Sequence, residues 1–348
     1  MVNEWDEQTK SRVRALRLRG KSLREIVAET GVSKGAVQRI CAAESTVERA
    51  AKKRRVEAAV AISRSSCKRA KASGDLMIVP VTVGGAVVNL HARSETTDFR
   101  SVPELFERQV YKPKDTLARQ LCQSGKWQVL DVGANIGYAS VCICLGLLRN
   151  ATVSKLVCVE PGASNAAVLR RNLRSANLKA LVLETAVSSR RGEGTLCQSN
   201  KYNFYRQTLT PVTKAASSSS VVCETALDIL SNVSDVVGSL FIKLDCEGGE
   251  AHFAARLCGW ISRLKKIDAV LVMGEISFDN LRLSHSGYTD LKRQFSDLNS
   301  DDWILARAIW GRAPLGTSEE GFTRSHLQAS AGMELLYMRK QSTRGLDD

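Results

Sequence analysis

Three short stretches carry the residues best suited to chemistry: "VLDVGANIGY" at 129–138, "VCVEP" at 157–161 and "FIKLDCEGGE" at 241–250. Each is an apolar run that ends in an acidic residue, the pattern of a buried strand stopping at a carboxylate. In the first, Asp131 is followed by Gly133, Asn135 and Gly137, in the form D-x-G-x-N-x-G. Glycine lets the backbone approach a ligand closely, and asparagine tolerates a positive φ better than other side chains. A dinucleotide loop needs G-x-G-x-x-G to seat a pyrophosphate on a helix N-terminus. Here the later positions of that pattern are Asn135 and Tyr138. A phosphate loop would need G-K-[ST], which is absent. The loop therefore suits a ligand without phosphate.

Asp131 at the strand end could take an ammonium group, directly or through water. Glu160, 23 positions after Gly137, could accept both hydroxyls of a ribose, as a carboxylate at that place does in dinucleotide folds. S-adenosylmethionine has the ammonium and the ribose and carries no phosphate. The third stretch adds Asp245, Glu247 and Glu250 at the end of a later strand, with Lys243 one alternation before Asp245 and so on the same side. A hydroxyl is a poor nucleophile unless a base takes its proton, and it must be held close to the methyl carbon it attacks. Asp245 is the first candidate for base or positioning group and Glu247 the second. Glu250 is expected to point along the next helix, and Glu275, ending the following strand, to complete the pocket. His252 and His285 could approach the site, whereas His91 and His326 read as surface or packed residues. The ten cysteines form no zinc pattern or disulfide frame, and no metal site is expected. Cys142, Cys144 and Cys158 sit in apolar runs, as small core residues do. A reducing compartment follows.

The elements that would hold these residues alternate. Strands are expected at 127–131, 155–159, 179–183, 239–244 and 268–275, with helices at 136–148, 162–176, 249–264 and 286–298. Two late strands follow near 302–309 and 333–339. Such alternation implies an open α/β sheet with helices on both faces. Ahead of it, Gly84-Gly85 marks a hairpin within 76–92, and helices are expected over 101–111 and 113–124. The run "SSSS" at 217–220 reads as a loop.

The blocks "VLDVGANIGYAS", "VCVEPGASNAAVLRRNL", "ETAVSSRRGEGTL" and "FIKLDCEGGE", with the lead-in "FRSVPELFERQVYKPKD", resemble in order and spacing the FkbM family of methyltransferases. The resemblance spans roughly residues 80–310. It implies a class I, Rossmann-like fold with a seven-stranded sheet, S-adenosyl-L-methionine as cofactor, and O-methylation of sugars and natural products. It implies cofactor contacts at Asp131, Gly133, Asn135, Gly137 and Glu160, with Glu184 to Ala186 flanking the adenine. "CEGGE" departs from the family, which more often has a single glycine and then alanine. Base methylation is disfavoured: "LDCE" stands where amino-group DNA methyltransferases carry [DNS]-P-P-[YF], and Cys246 lacks the preceding proline of cytosine-C5 enzymes.

The net charge of +14 is skewed: roughly two thirds of the excess lies in the first 75 residues. That skew suggests an acidic partner, nucleic acid first. Ser22 and Glu25 form a capping box, Gly31 marks a turn and Ser33 can cap a second helix. The apolar positions Ile26, Val27, Val32, Val37 and Ile40 would pack two helices across that turn, the helix-turn-helix arrangement. The segment resembles the DNA-binding parts of resolvases and transposases, with Val27 where a smaller residue is usual. Its second helix would present Lys34, Gln38 and Arg39 to phosphates and base edges. "KKRR" at 52–55 (Lys52, Lys53, Arg54, Arg55) and "KRAK" at 68–71 resemble a bipartite nuclear import signal.

These readings divide the chain into a helix-turn-helix module at 1–45, a basic linker at 46–75 and a methyltransferase domain at 76–348. The expected function is methylation of a hydroxyl on a sugar or small molecule. The alternatives are an RNA ribose 2′-O-methyltransferase and a DNA-binding regulator with a degenerate catalytic domain. DNA or RNA would bind through residues 1–75. The start "MVNEWDEQTK" is charged and is not expected to act as a signal peptide, and "ASVCICLGLL" is too short to span a bilayer. A cytoplasmic location is expected, or a nuclear one in a eukaryote.

Overall fold

The computed structural model describes residues 9, 12, 13, 16, 22–38, 40, 76–94, 96, 98–198, 207–208, 217–233, 237–277, 285–310 and 330–340. The chain divides into two units, residues 1–71 and 72–348.

In the first unit, helix α1 (Leu23–Thr30) starts at a reciprocal cap. Ser22 Oγ accepts from the Glu25 N–H, and Glu25 Oε2 accepts from the Ser22 N–H at 2.7 Å. Gly31, at φ +68°, ends the helix by donating to the Val27 carbonyl. Residues 34–38 are helical again, with the Ala36 N–H donating to Ser33 Oγ at 3.4 Å. Ile26, Val32, Ala36, Val37 and Ile40 close on Val13 and Leu16, while Leu23 and Val27 are half-buried at the rim. Lys34 and Gln38 are exposed. Arg39 and the run Lys52, Lys53, Arg54, Arg55 lie outside the described residues, as do His326 and the His285 side chain.

The second unit opens with an antiparallel hairpin, β1 (Leu76–Val83) and β2 (Ala86–Arg93), turning at Gly84 and Gly85, both at positive φ. After helix α2 (Thr116–Leu121) come β3 (Lys126–Val132), α3 (Tyr138–Val141), β4 (Thr152–Val159), α4 (Ala163–Ser175) and β5 (Leu181–Leu183). The strands β6 (Thr185–Ser188), β7 (Gly192–Gln198), β8 (Gln207–Thr208) and β9 (Ser217–Thr225) and helix α5 (Ala226–Ser231) precede β10 (Gly238–Leu244). The chain continues through α6 (Glu250–Ile261), β11 (Ile267–Ser277), α7 (His285–Ser296), β12 (Trp303–Trp310) and β13 (Ser330–Arg339). The main sheet has seven strands in the order β12-β13-β11-β10-β3-β4-β5. Only β13 runs against its neighbours in it. That is the seven-stranded sheet expected of the class I, Rossmann-like fold.

Alternation along the strands fills both faces. On β3, Leu130 and Val132 pack with α5, α6 and α7, while Trp127 and Val129 pack with α3, α4 and the hairpin. On β11, Val270 and Val272 take the first side, and Ala269, Leu271 and Met273 the second. A parallel sheet must be covered on both faces in this way, because its strands are apolar on both. β3 lies between β4 and β10. The connections from its two neighbours leave in opposite directions, so a crevice opens at the carboxyl ends of β3 and β10.

Four readings are corrected. The Ser217–Ser220 run is strand, the start of β9, which joins β6, β7 and β8 in a second, four-stranded sheet. Serine is not among the residues enriched in strands, so pairing decides there. The helix expected over 101–111 ends at Glu107 as a π-helical turn from Pro103, and Tyr111 lies beyond it. The helix expected over 113–124 shrinks to α2, where Asp115 Oδ1 caps the Ala118 N–H. The helix expected over 136–148 starts at Tyr138 and turns π-helical over Cys142–Leu147.

Candidate active site

The crevice is a cleft of about 1080 Å³ in the second unit, and the ends of four strands line it. From β3 come Val132 to Ile136, from β4 Val159 to Pro161, from β10 Asp245 to Gly249, and from β11 Met273 to Glu275.

The glycine loop takes the form its residue types imply. Gly133 has φ +78°, Asn135 φ +50° and Gly137 φ +88°. A Cβ on Gly133 would stand 1.8 Å from the Asp245 carbonyl oxygen, a backbone atom that cannot swing away. On Gly137 it would meet Leu169 Cδ1 at 2.6 Å. The first glycine thus lets β10's loop pass over β3's, and the second seats α3 against α4. The Asn135 side-chain oxygen Oδ1 is buried with no hydrogen-bond partner among the described residues, which leaves one unsatisfied acceptor on a wall of the cleft.

Glu160 is 5% exposed and lines the cleft. Its Oε1 accepts from the Gly162 N–H at 2.9 Å and Asn165 Nδ2 at 3.1 Å, and its Oε2 from the Asn135 N–H at 2.9 Å. An ionised carboxylate offers about four acceptor sites, so one remains, on Oε2. The structure leaves room for one ribose hydroxyl where two were expected. Burial raises the Glu160 pKa, and these three bonds only partly oppose the rise.

Asp131 differs from the expectation. It is fully buried and absent from the cleft wall. Its Oδ2 accepts from Ser140 Oγ at 2.5 Å, and its Oδ1 lies 3.0 Å from Lys243 Nζ. The carboxylate is spent inside the sheet and reaches a ligand only through Lys243. That lysine is 2% exposed. Its Nζ donates to the Gly133 carbonyl at 2.7 Å and lies 3.9 Å from Asp245 Oδ2. Burial works against its charge, but Asp131 and Asp245 outweigh burial and hold its pKa above the ordinary lysine value. Lys243 thus ties the glycine loop to the end of β10.

Asp245 lines the cleft with its side chain 26% exposed. Its Oδ2 accepts from the Tyr111 hydroxyl at 2.8 Å, and Oδ1 has no partner among the described residues. Tyr111 was not singled out from the sequence. Its only signal was its place in the lead-in block, where the expected helix gave it no role. Glu247 lines the cleft and holds φ +53°, a backbone state that costs a non-glycine residue on the order of 1–3 kcal/mol. Glu250 does not point along α6. It is fully buried and folds back, accepting from the Cys246 and Gly248 N–H groups at 2.8 Å each. It shapes the loop that presents Asp245. Gly249 fits that loop: a Cβ there would stand 2.7 Å from Cys246 Sγ.

Glu275 is exposed at the cleft, on β11 opposite Gly332. His252 lines the cleft, and burial lowers its pKa below the ordinary value. Glu184 points away, in an ion pair with Arg170 at 2.7 Å, and is absent from the wall. It lies exposed between β5 and β6, and Thr185, Ala186 and Val187 line the cleft there. His91 packs on α4, where its N–H donates to Asn172 Oδ1.

The residues present fit S-adenosylmethionine. The loop is glycine-tight, an unsatisfied acceptor stands on Asn135, one acceptor site remains on Glu160, and Ala186 and Val187 offer an apolar wall.

No protein-family description and no curated protein matches the chain. Among solved structures, it is similar to an O-methyltransferase from Bacillus cereus in complex with SAH, at 13% identity over 70% of this chain and 98% of that one, TM-score 0.33. It is also similar to the O-methyltransferase TomG from Streptomyces achromogenes, which is in complex with SAM (14% identity, 64% and 76% of the two chains, TM-score 0.33). A third is TYW2 from M. jannaschii in complex with AdoMet (8%, 77% and 89%, TM-score 0.34). No helix among the described residues is long and apolar enough to cross a membrane.

Proposed function

We propose that residues 76–348 form an S-adenosylmethionine-dependent O-methyltransferase, of FkbM type, that methylates a hydroxyl of a sugar or small molecule. The observation that carries this reading is Asp245: a carboxylate with one oxygen held by Tyr111 and the other open, at the switch point beside the glycine loop. When bound, S-adenosylmethionine supplies an electrophilic methyl carbon. The chain's own residues do the rest. Gly133, Asn135 and Gly137 shape the loop that receives the cofactor, Glu160 Oε2 accepts a ribose hydroxyl, and Ala186 flanks the adenine. Asp245 Oδ1 accepts the proton of the acceptor hydroxyl as that oxygen attacks. Lys243 and Tyr111 keep the carboxylate in place, and Glu247 and Glu275 bound the acceptor.

The cofactor half is tested by pH. Burial raises the Glu160 pKa in the free protein, and a ribose hydroxyl donating to the carboxylate favours the ionised form. S-adenosylhomocysteine affinity is therefore expected to rise with pH through the raised value, above the ordinary 4.5, by up to about tenfold per unit. Stability of the free protein runs the other way. Its contribution from Glu160 is present below the unfolded pKa and is lost as pH rises through the folded one. Titration calorimetry between pH 5 and 8 would show the slope, and Glu160→Gln should bind more weakly with no slope. A wild-type affinity flat in pH and matched by Glu160→Gln would remove Glu160 from the site.

The first 75 residues are read as a helix-turn-helix module and basic linker that bind nucleic acid. Support comes from the exposure of Lys34 and Gln38 on the second helical run, beside an apolar core that does not need them. In the full chain, Lys34→Ala with Gln38→Ala is expected to weaken duplex DNA binding several-fold and to reduce its salt dependence by about one counterion. Unchanged binding and salt slope in fluorescence anisotropy would take the second helix out of the contact.

A further inference from the structure

The cleft has one wall whose charges the methyl-transfer reading leaves unused. Residues 108–114, "RQVYKPK", place Arg108, Lys112 and Lys114 on it, all three exposed. No ion pair engages them among the described residues. This segment is not a loose loop. The Arg108 N–H donates to the Pro103 carbonyl at 2.9 Å and the Lys112 N–H to the Gln109 carbonyl at 2.8 Å, with Gln109 at φ +51°. The Lys114 and Asp115 N–H groups both donate to the buried Glu334 carboxylate, at 2.7 and 3.0 Å. The Arg119 guanidinium donates to the Pro113 and Lys114 carbonyls at 3.2 and 2.7 Å. Tyr111, in the middle, is pinned to Asp245.

The anchoring places three cations on the same cleft as Asp245 and within three residues of Tyr111, which holds that carboxylate. Glu334, the carboxylate that anchors this segment, is buried and occupied by backbone N–H groups. Lysine and arginine on a fixed backbone bind phosphate oxygens by charge-assisted hydrogen bonds without ordering a loop first. The glycine loop, by contrast, is built for a ligand without phosphate, so an anion in this cleft belongs to the acceptor and not to the cofactor.

We infer that the acceptor carries a phosphate, held by Arg108, Lys112 and Lys114 while its hydroxyl meets Asp245. This rests on the methyltransferase reading for the identity of the second ligand, but the phosphate site is testable apart from it. The probes are ribose, ribose 5-phosphate and a six-nucleotide oligoribonucleotide, titrated into the full-length protein with and without S-adenosylhomocysteine. Ribose 5-phosphate is expected to bind at least tenfold more tightly than ribose. The variant Arg108→Gln/Lys112→Gln/Lys114→Gln should lose that preference while S-adenosylhomocysteine affinity stays within twofold of wild type. A preference for the oligoribonucleotide over both small probes, lost in the same variant, would support the same wall and identify a phosphodiester as the source. Equal binding of all three probes, or a phosphate preference that survives in the triple variant, would overturn the inference. Absence of S-adenosylhomocysteine binding would count against the methyltransferase reading alone, because the phosphate preference is measured without it too.

Discussion

Lys243→Ala is expected to destabilise the α/β unit by about 3–5 kcal/mol, the usual consequence of removing one partner from a buried ion pair. Asp131 has no exposed surface, so its carboxylate cannot recover solvation when the ammonium 3.0 Å away is deleted. Ser140 would remain as its one hydrogen-bond donor. The Gly133 carbonyl would also lose the lysine, loosening the glycine loop from β10. The unfolding midpoint in urea, followed by fluorescence of the buried Trp127 and Trp303, should fall with little change in slope. The same variant should bind S-adenosylhomocysteine more weakly under native conditions. A compensating change separates the ion pair from lost packing. Lys243→Met with Asp131→Leu removes both charges and keeps most of the volume, so it should recover most of the stability. A loss under 1 kcal/mol in the single variant, or a double variant no better than the single, would show that the pair does not hold the loop.

This pair also shows where reading the sequence stopped short. Strand alternation put Lys243 and Asp245 on one side of β10, and their 3.9 Å approach agrees. The register that sets Lys243 beside Asp131 on β3 is a long-range fact that no local pattern states. Without it, an acidic residue at a strand end looks open to a ligand. The same gap explains Glu250. It was expected to point along the next helix, but the positive-φ backbone at Glu247 and Gly248 turns the loop so that the Cys246 and Gly248 N–H groups meet the carboxylate. Local chemistry was legible where one residue type has one reason to be present. Gly133, Asn135 and Gly137 adopt positive φ, and Ser22 and Gly31 cap α1 at both ends. The parallel strands of the main sheet stood out as apolar runs, because they are buried on both faces. The second sheet did not, since β9 begins with four serines that pair only because β7 lies alongside. Tyr111 was hidden for another reason. It is brought to Asp245 by a segment 134 positions away, and only the early end of the preceding helix releases it toward the cleft.

Asp245→Asn is expected to lower kcat by 10²–10⁴-fold, the range that general acid–base assistance supplies, or about 2.7–5.5 kcal/mol of barrier. The substitution keeps shape, and its carbonyl oxygen can still accept from Tyr111, so the segment around residue 111 should stay in place. What it removes is the ability of Oδ1 to carry away the acceptor's proton. Cofactor affinity depends on the glycine loop and Glu160, so S-adenosylhomocysteine should bind within twofold of wild type. Tyr111→Phe makes the useful contrast. It leaves the carboxylate intact but frees it to rotate, so turnover should fall about tenfold while the dependence on a base, seen in the pH profile of kcat, persists. The assay is label transfer from S-adenosylmethionine into the extract fraction that the wild-type protein labels, with initial rates at saturating cofactor. A wild-type rate in Asp245→Asn would move the proton-accepting role to Glu247 or Glu275, which also line the cleft. Loss of cofactor binding together with rate would show that Asp245 serves the loop over Gly133, where its carbonyl leaves no room for a Cβ, and not the acceptor.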